Sequence, residues 1–460
     1  MSQPRFVNID RETPLLLPPD LRSWVSADDI VHLLLEVVEG MNLSSARINP
    51  RGSGSAQYPP GMMLALLIYC YAHGIFSSRA IEQATYRQVA VRFLTGDEHP
   101  DHDTICTFRR QNEKLIRAAF AEVLKLSGAV GVRQVGTVCI DGTKILASAA
   151  KARTRTEAEL AEAEKKEAAA LEQAQRQQID GLLEQARVAD AQGADEGSTL
   201  PAELAVPGQL RSRVAEARAR LRAQALERAT AREQERATIA QEGFGELPRR
   251  LSPEPKPTAT INLTDPESRL MPTRSGQFIQ GYNAQLAVSA QPGGGFILAA
   301  QVCTETNDKG QLQPMVEALP REVLAAQVEV PVDLGYDHAV QIHRVEQSGQ
   351  MQVFRPVTRQ TRTAQPGTRK SAHRRATESF RQVLDERARS ERGRALKKLR
   401  SATVEPVFGI IKSVLGWRGT RLRGLAKVNL EWQLVALAFN CRRLHVRRRA
   451  RAAAEQAQRP

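Results

Sequence analysis

Residues 151–243 are dominated by alanine, glutamate, arginine and glutamine, a composition that favours helices over sheets. In the second half of this segment apolar residues recur at steps of 4, 3, 4 and 4, the spacing of one helix face. Glycines and prolines between residues 193 and 208 separate it from a similar first half. The segment therefore predicts an antiparallel helical hairpin, either a solvated spacer or an arm that contacts DNA or a protein partner. The apolar positions are Leu160, Leu171, Ile179, Leu182 and Ala186 in the first arm and Leu210, Val214, Ala217, Leu221 and Ala225 in the second.

Short β-rich runs lie on both sides of this hairpin. Residues 135–140 precede it and end at an Asp-Gly pair. After it, residues 283–289 alternate in polarity, and a Gly-Gly-Gly turn leads to an apolar run at 296–302, so that the two runs predict a β-hairpin. A mixed sheet with helices on its faces accounts for this pattern, and the helical hairpin is then an insertion between the first two strands.

Two aspartates stand at the ends of predicted strands. Asp141 follows the first strand, and Asp333 follows a short strand at 328–332, in which Pro331 cannot donate a ladder hydrogen bond. If these strands are parallel neighbours, both carboxylates emerge at one edge of the sheet, where open α/β sheets bind their ligands. Glu405 opens a later predicted helix. Three such carboxylates suit Mg²⁺ or Mn²⁺, although each also has a simpler explanation as a turn or cap residue.

The first 130 residues predict helices alone. The run Met62–Ala72 is too apolar for a surface helix and should be buried. Ser77 and Ser78 predict the N-cap of the next helix, and residues 101–104 predict the cap of a helix that spans 105–126. Short helices joined by tight polar turns fit a helix-turn-helix-like DNA-binding module and a plain helical bundle equally well.

Basic residues are concentrated in the last quarter of the chain. The formal net charge is +14 overall, but residues 355–460 hold 27 Lys or Arg against 7 Asp or Glu. Their net charge is therefore +20, and the rest of the chain carries −6. This asymmetry indicates a polyanionic partner, with nucleic acid as the first candidate. A basic tail that only aids solubility would give the same charge.

Several classes of protein are disfavoured by motifs that the sequence lacks. No run approaches the roughly 20 apolar residues of a membrane span. No G-x-x-x-x-G-K-S/T loop supports nucleotide hydrolysis of the P-loop type. The five cysteines are scattered and lack a C-x-x-C pair, which argues against a disulfide scaffold and a structural zinc site. We therefore expect a protein of the reducing cytoplasm with no membrane partner.

A cation and a basic loop follow Glu405. Lys412 lies two helical turns after it and should face the same side of the helix. Residues 416–424 then place three arginines beside Trp417. Arginine forks bind phosphates and an indole can stack on a base, which predicts contacts to nucleic acid. Glu405 and Lys412 could also be an ordinary pair on a helix surface. Residues 416–424 could also be a basic loop around one buried tryptophan. The arginines are Arg418, Arg421 and Arg423.

Motifs along most of the chain resemble, in order, those of bacterial insertion-sequence transposases of the DDE type with an InsH-like N-terminal domain. The N-terminal motifs are Tyr58-Pro-Pro-Gly61, Ser78-Arg-Ala-Ile-Glu82, Pro100-Asp-His-Asp-Thr104 and Phe108-Arg109. The later motifs are Ile140-Asp-Gly-Thr-Lys-Ile145, Asp265-Pro-Glu-Ser-Arg269, Gly281-Tyr-Asn-Ala-Gln285, Asn307-Asp308, Asp333-Leu-Gly-Tyr336, Val404-Glu-Pro-Val-Phe-Gly409, Leu422-Arg-Gly-Leu425 and Glu431-Trp432. Each motif is modest alone, and their common order makes the resemblance specific.

This resemblance implies an α/β fold with a ribonuclease H-like mixed-sheet catalytic core. Asp141, Asp333 and Glu405 would be the catalytic residues and the ligands of Mg²⁺ or Mn²⁺, with two ions bound. Lys412 would contact DNA beside the scissile phosphate. Arg400 would take the place of an arginine that precedes the glutamate in related enzymes and would bind DNA, whereas the tyrosine that usually accompanies it is missing.

The resemblance also implies a domain organisation and a function. The expected parts are an α-helical N-terminal DNA-binding domain at 1–130, a first part of the core at 131–150, a helical, coiled-coil-like insertion and linker at 151–257, a second part of the core at 258–445 and a basic tail at 446–460. The expected activity is metal-dependent cleavage at the terminal inverted repeats of an insertion sequence and strand transfer to target DNA. A homodimer on double-stranded DNA would carry it out in the bacterial cytoplasm, at the nucleoid. A non-catalytic DNA-binding protein derived from a transposase is the alternative.

Overall fold

The chain forms a mixed α/β fold with a helical N-terminal region, seen in a computed structural model. The structure describes residues 21–457 apart from 49–56, 132, 134–135, 166–206, 274, 292–293 and 358–371. Within these ranges no helix is both long enough and apolar enough to cross a membrane. The five cysteines are free thiols.

The N-terminal helices are α1 (Ile30–Glu39), α2 (Pro60–Ala72), α3 (Ser78–Arg87), α4 (Val89–Thr95), α5 (His102–Gln111) and α6 (Glu113–Ala129). Side-chain caps mark where α1, α3 and α5 of the N-terminal region begin. Ser77 accepts a hydrogen bond from the Ala80 N–H at 3.0 Å, and Asp101 accepts one from the Thr104 N–H at 2.8 Å. Both caps confirm the sequence prediction.

Asn112 divides what the sequence predicts as one helix over residues 105–126. Its side-chain amide donates to the Phe108 carbonyl at 3.0 Å, and its side-chain oxygen accepts from the Arg47 N–H at 2.7 Å. An asparagine that bonds to the backbone in this way competes with helix continuation. The prediction of a single helix is therefore wrong, and α5 and α6 are separate.

Helix α2 is the apolar centre of the N-terminal region. Each of its residues from Met63 to Ala72 is buried, as the composition predicts. It packs against α1 and against a long C-terminal helix at Leu425–Ala457. The N-terminal helices therefore share one hydrophobic core with the C-terminal part of the chain.

The central sheet joins antiparallel and parallel strands. The strands are β1 (Val138–Leu146), β2 (Thr154–Thr156), β3 (Thr260–Asn262), β4 (Arg269–Pro272), β5 (Phe278–Ser289), β6 (Ile297–Cys303), β7 (Val328–Pro331) and β8 (Met351–Phe354). Strands β6, β5 and β1 form an antiparallel sheet, and β7 and β8 form a parallel pair. A single parallel bridge between Thr137 and Glu329 joins this pair to the start of β1. The pair β5–β6 confirms the predicted hairpin, and β4 pairs with the beginning of β5.

Strand β1 is longer than the sequence predicts. The Asp141-Gly142 pair is not a turn, because β1 continues to Leu146 in unbroken antiparallel register with β5. Gly142 lies opposite Gln285 in that ladder, and a Cβ at Gly142 would come within 2.4 Å of the Gln285 amide nitrogen. The glycine therefore provides room for a neighbouring side chain, and Asp141 lies within a strand.

Pro331 limits the ladder between β1 and β7. A parallel bridge between Thr137 and Glu329 joins the strands, and the Glu329 N–H donates to the Gly136 carbonyl at 2.9 Å. The Pro331 nitrogen, two residues later, faces the same side and carries no hydrogen. No ladder hydrogen bond from Pro331 to β1 can form, so the proline fits between two strands where an ordinary ladder would exclude it.

Two helices of the segment between β1 and β4 are described, α7 (Glu157–Lys165) and α8 (Pro207–Glu242). Leu160 of α7 packs against Val214, Ala217 and Leu221 of α8, positions that the predicted hairpin places on its inner face. Strands β2 and β3 pair antiparallel at the base, so the segment leaves and rejoins the core at one place. The other predicted positions of the first arm, Leu171, Ile179, Leu182 and Ala186, and the turn lie outside the described residues.

Further helices lie in the C-terminal half of the chain. They are α9 (Leu312–Glu317), α10 (Arg321–Leu324), α11 (Ala339–Glu346), α12 (Ala372–Arg389), α13 (Glu391–Gly409) and α14 (Leu425–Ala457). Residues 446–457, expected as a tail, continue α14. There, Arg448 pairs with Glu36 of α1 at 3.0 Å and Arg449 pairs with Asp28 at 2.6 Å.

Two asparagines of α14 cover the edge of β6. Asn440 accepts from the Ile297 N–H at 2.9 Å and donates to the Ile297 carbonyl at 2.8 Å. Asn429 accepts from the Val302 N–H at 2.9 Å. These side chains satisfy backbone groups that an edge strand otherwise exposes. Helix α14 is thereby bonded to the sheet on one side while it packs on α2 on the other.

A buried polar network lies where α14 meets α2. The Tyr71 hydroxyl donates to Glu431 Oε1 at 3.2 Å and accepts from the Arg109 guanidinium at 3.0 Å. All three side chains are buried. Glu431 Oε2 accepts from the Thr420 hydroxyl at 2.5 Å and from the Arg421 N–H at 2.7 Å. One carboxylate thus joins the N-terminal helices to the loop before α14.

Arg109→Leu should destabilise the protein by about 3–5 kcal/mol, because Glu431 would remain buried without its countercharge. Urea denaturation measures the loss. The control is Arg117→Leu, since Arg117 and Glu113 form an exposed pair that should contribute less than about 1 kcal/mol. Adding Glu431→Gln to Arg109→Leu should recover part of the loss. An equally small loss of unfolding free energy in Arg109→Leu and Arg117→Leu would contradict the role of Arg109 as the countercharge of Glu431.

Candidate active site

Asp141 and Asp333 lie at the same level on neighbouring parallel strands. The bridge between Thr137 and Glu329 sets the register of β1 and β7. Asp141 lies four residues after Thr137, and Asp333 lies four residues after Glu329. Because parallel strands rise equally per residue, Asp141, within β1, lies level with Asp333, which comes just after β7.

The Asp141 carboxylate is largely buried, with a side chain that is 15% exposed. Its Oδ1 accepts from the Gly142 N–H at 2.8 Å, and its Oδ2 accepts from Arg400 Nη1 at 2.7 Å. Burial raises the pKa of Asp141 to about 6, opposed by the Arg400 guanidinium and increased by the charge of Asp333. Negative charge at this position is therefore desolvated and benefits from a nearby cation.

Glu405 lies in the last turns of α13, and not at the start of a helix as the sequence suggests. Pro406 follows it inside the helix, and a π-helical turn at Ile410–Val414 comes next. A proline removes one helix hydrogen bond, which a helix tolerates most easily near such an irregular end. The Glu405 side chain is 61% exposed.

Arg400 places its guanidinium between two acids. Nη1 bonds to Asp141, and Nη2 lies 4.0 Å from Glu405 Oε1. The Arg400 side chain is 14% exposed, so it does not present an open surface to DNA in this arrangement. Helix α13 packs on β1 and thereby brings the arginine to Asp141, and the expected contact of Arg400 with DNA stays a prediction.

Asp333 lies at the turn that follows β7. Its Oδ1 accepts from the Gly335 N–H at 2.7 Å, and a 3₁₀ turn spans Leu334–Tyr336. Burial raises the pKa of the Asp333 carboxyl, opposed by the Gly335 hydrogen bond, and the charge of Asp308 raises it further. Asp333 therefore has acidic neighbours on both sides, Asp141 and Asp308.

Asp308 is a fourth carboxylate of the site, and its sequence motif alone does not predict that role. Its Oδ1 accepts from the Asn283 side-chain amide at 2.8 Å and from the Gln285 side-chain amide at 2.7 Å. Both amides belong to fully buried residues of β5. The Gln285 side-chain oxygen accepts from the Tyr336 hydroxyl, three residues after Asp333. Gln285 therefore ties Asp308 to the turn that carries Asp333.

Two glycines make room for Asp308. A Cβ at Gly142 would lie 2.6 Å from Asp308 Oδ1. A Cβ at Gly335 would lie 3.0 Å from Asp308 Oδ2 and 2.8 Å from Asp333 Oδ1. Real Cβ contacts are longer, so side chains at these positions would push the carboxylates apart. The glycines beside Asp141 and Asp333 thus serve the packing of the site.

One sequence signal could have revealed this group. Alternate residues of a strand share a face, so Asn283 and Gln285 place two amides on the same face of a strand that is otherwise largely apolar. Buried amides require partners. The Asn307-Asp308 motif supplies the partner, but the contact joins residues that the sequence alone does not bring together.

Lys412 lies against β1 and contacts residues that come shortly after Asp141 on that strand. Its Nζ donates to the Thr143 hydroxyl at 2.5 Å and to the Lys144 carbonyl at 3.2 Å. It lies on the π-helical turn after α13, and its side chain is partly exposed. The structure therefore places an ammonium group beside the strand that carries Asp141.

The basic loop at residues 416–424 is attached to the end of β1. The Leu146 N–H donates to the Arg418 carbonyl at 3.1 Å, and the Thr420 N–H donates to the Leu146 carbonyl at 2.9 Å. The side chains of Arg418 and Arg421 are exposed, and that of Arg423 is half-buried with its Nε donating to the Ser148 carbonyl at 2.9 Å. The loop thus presents arginines near the acid site.

Trp417 is buried, which corrects the interpretation that its ring stacks on a base. The indole is 1% exposed and stacks on Trp432, with 5.1 Å between ring centroids. Trp432 in turn donates its Nε1–H to the Gln285 carbonyl at 3.0 Å. The two rings pack between α14 and the sheet because they bury large apolar areas.

The carboxylate oxygens of the acid site are suitable ligands for a hard divalent cation. Asp141, Asp333 and Glu405 supply carboxylate oxygens, the ligands that Mg²⁺ and Mn²⁺ prefer. Two of them are desolvated, and the charge of Asp333 raises the pKa of Asp141, so a cation would stabilise both ionised forms. Among the side chains that the structure describes, no three His, Cys, Asp or Glu converge closely enough to hold an ion. The Arg400 guanidinium lies between Asp141 and Glu405 instead.

Family models give matches at both ends of the chain. A model described as a transposase domain (DUF772) matches residues 19–111, and one described as a transposase DDE domain matches residues 357–445. No curated protein and no solved structure gives a significant match. The two family matches confirm the resemblance to insertion-sequence DDE transposases. The second includes Glu405, Lys412 and the basic loop.

Gly142→Ala should destabilise the protein by about 1–3 kcal/mol, because the new methyl group would overlap the Gln285 amide and the Asp308 carboxylate. Denaturant unfolding measures the change. The matched control is Gly409→Ala, where no atom lies within 4 Å of the new Cβ, and helix propensity should give a gain of up to about 1 kcal/mol. If Gly142→Ala were as stable as the wild type, Asp308 and Gln285 would not be tightly fixed.

Proposed function

We propose that this protein is a DNA transposase whose acid site cuts and joins DNA strands. The observation that carries the proposal is the placement of Asp141 and Asp333 at the same level of adjacent parallel strands, with Glu405 on the helix that packs over β1. The matches to two transposase family models support the same conclusion.

The arrangement of the sheet supports a ribonuclease H-like catalytic core. The central strand β1 carries Asp141, has antiparallel strands on one side and has the parallel strands β7 and β8 on the other. Asp333 follows β7, and Glu405 comes from a helix after β8. The α7–α8 segment enters the core through the β2–β3 pair and is then an insertion within it.

The proposed reaction is phosphoryl transfer without a covalent enzyme intermediate. Water attacks the scissile phosphorus, the P–O3′ bond breaks, and the freed 3′ oxygen takes up a proton. That 3′-hydroxyl then attacks a phosphodiester of target DNA and displaces its 3′ oxygen. Bound divalent ions, two in our proposal, would activate the attacking oxygen and stabilise the leaving one. Positioning and electrostatics supply the rest of the catalysis.

Each group of the site has a proposed task. Asp141, Asp333 and Glu405 would hold the Mg²⁺ or Mn²⁺ ions. Lys412, fixed beside β1, would neutralise the phosphate next to the scissile bond.

The proposed partners are the terminal inverted repeats of an insertion sequence and target DNA. The N-terminal helices and the basic loop would bind this duplex DNA, with phosphates neutralised by Arg418, Arg421 and Arg423. A homodimer would join two element ends, and the work would be done at the bacterial nucleoid.

A non-catalytic DNA-binding protein derived from a transposase is the second candidate. It would use the same basic surface. The family matches do not distinguish an active enzyme from a derived one. The two candidates differ in whether the acids are needed for a chemical step.

Asp141→Asn, Asp333→Asn and Glu405→Gln should each lower strand cleavage by at least about 10³-fold, because each removes a negative charge that holds the metal. DNA affinity measured without divalent ions should change by less than about threefold, because the acids do not bind phosphate. The substrate is a labelled duplex copied from the DNA that flanks the gene, with Mg²⁺ or Mn²⁺. Nicking and joining are read on denaturing gels, and binding is read by fluorescence anisotropy.

Glu391→Gln is the control for these variants, because Glu391 is an exposed acid at the first turn of the same helix α13. It should cleave like the wild type. Full cleavage by any of the three acid variants would remove that residue from the site. Binding without cleavage by the wild-type protein would favour the non-catalytic candidate.

Replacing both Arg418 and Arg421 by alanine should weaken DNA binding and lower the slope of log K against log salt concentration by about 2, because two phosphate contacts are lost. Anisotropy titrations at several salt concentrations give the slope. Arg321→Ala, an exposed arginine on α10, should leave it unchanged. An unchanged slope in the double variant would show that the loop does not contact phosphates.

A further inference from the structure

We propose that Arg400 is an exchangeable counter-ion of the acid site. A divalent cation and the Arg400 guanidinium would compete for Asp141, and the displaced guanidinium would bind a DNA phosphate. The proposal rests on the proposed function, because it takes Asp141 and Glu405 as ligands of that cation. It makes Arg400 a positioning residue that couples metal binding to DNA binding.

Both oxygens of Asp141 are already engaged. Oδ1 accepts from the Gly142 N–H at 2.8 Å, and Oδ2 accepts from Arg400 Nη1 at 2.7 Å. The first bond is made by the backbone beside Asp141 and persists with any ligand that leaves β1 in place. The bond to Arg400 is made by a long side chain that can move. A metal ion that takes Oδ2 would therefore compete with the guanidinium for the same oxygen, and the two positive charges would repel each other.

The guanidinium also lies where it would conflict with a second ligand. Its Nη2 is 4.0 Å from Glu405 Oε1, so Arg400 lies between Asp141 and Glu405. A dication bound by these two acids would meet the positive charge of Arg400 in the same space. Like charges at such distances repel strongly when they are partly desolvated. Simultaneous occupation by the metal and by the guanidinium is unfavourable.

The acids are the groups that retain Arg400. Within the described residues, its guanidinium has a hydrogen bond to Asp141 and a longer contact to Glu405, and no further polar partner is found there. Arg355 is a contrasting case, because it is fully buried and pairs with both Asp337 at 3.0 Å and Asp385 at 2.8 Å. Arg355 is fixed in the core, whereas Arg400 would lose its partners to a metal ion.

A released guanidinium would have a suitable ligand nearby. Lys397, one helical turn before Arg400 on α13, is exposed, and Lys412 follows on the same helical segment. A phosphate held by these cations would accept the planar fork of Arg400 in a bidentate contact. Metal and DNA would then each favour binding of the other, since such coupling is reciprocal.

The first experiment measures Mn²⁺ binding in the absence of DNA, by electron paramagnetic resonance of free Mn²⁺. Arg400→Gln should bind Mn²⁺ at least about tenfold more tightly than the wild type, because the competing cation is gone. Arg400→Lys keeps a cation and should stay close to the wild type. Arg392→Gln is the matched control: Arg392 is an exposed arginine of α13 paired with Glu329, and its loss should leave Mn²⁺ binding unchanged. Thermal unfolding checks that each variant is folded.

The second experiment measures DNA affinity with and without Ca²⁺, by fluorescence anisotropy on the flanking-DNA duplex. Ca²⁺ should tighten binding by the wild type at least about threefold more than binding by Arg400→Gln, because only the wild type releases a guanidinium to the phosphate. An equal gain in both proteins would overturn the release of Arg400 to DNA.

The outcomes separate this proposal from the proposed function. If Asp141→Asn loses Mn²⁺ binding while Arg400→Gln binds Mn²⁺ as the wild type does, or more weakly, the counter-ion role is overturned and the acid site stands. A purely structural salt bridge would give that result together with a lower melting temperature. If Asp141→Asn and Asp333→Asn bind Mn²⁺ like the wild type, the proposed metal site itself is wrong.

Discussion

The buried carboxylate of Glu431 fixes the relation between the N-terminal helices and the basic loop. It accepts hydrogen bonds from Tyr71 of α2, from the Thr420 hydroxyl and from the backbone N–H of Arg421. A buried charge that loses such bonds is very costly, so these elements cannot shift independently. Because the loop also pairs with Leu146 at the end of β1, a side chain outside the acid site determines where the arginines lie relative to it.

The acid site draws on both faces of the central strand. Successive residues of a strand point to opposite sides, so Asp141 and Gly142 belong to different faces. Asp141 meets the cation of Arg400, whereas the space above Gly142 holds the carboxylate of Asp308 and the amide that binds it. Asp333, at the edge between them, is influenced by both charges. Asp141 is therefore paired with the cation of Arg400. For Asp308 and Asp333, the described residues supply no cation that is equally close.

The sequence predicts the parts of this fold that depend on local chemistry. The burial of α2, the caps at Ser77 and Asp101 and the β5–β6 hairpin follow from composition, capping chemistry and alternation. The order of the acids along the chain is also visible there. Features that depend on distant packing are not: the continuation of β1 through Gly142, the burial of Trp417 and the pairing of Arg400 with Asp141 each require a neighbour far away in the sequence.

The sharing of one core by α2 and α14 has a consequence for synthesis. Helix α2 leaves the ribosome early, but the helix that covers it begins only at Leu425. At translation rates of about 5–20 residues per second, the interval is roughly 20–70 s. During that time the apolar stretch Met63–Ala72 lacks its final cover and is exposed to chaperones and to aggregation. A chain truncated before α14 would therefore keep this apolar stretch without its final cover.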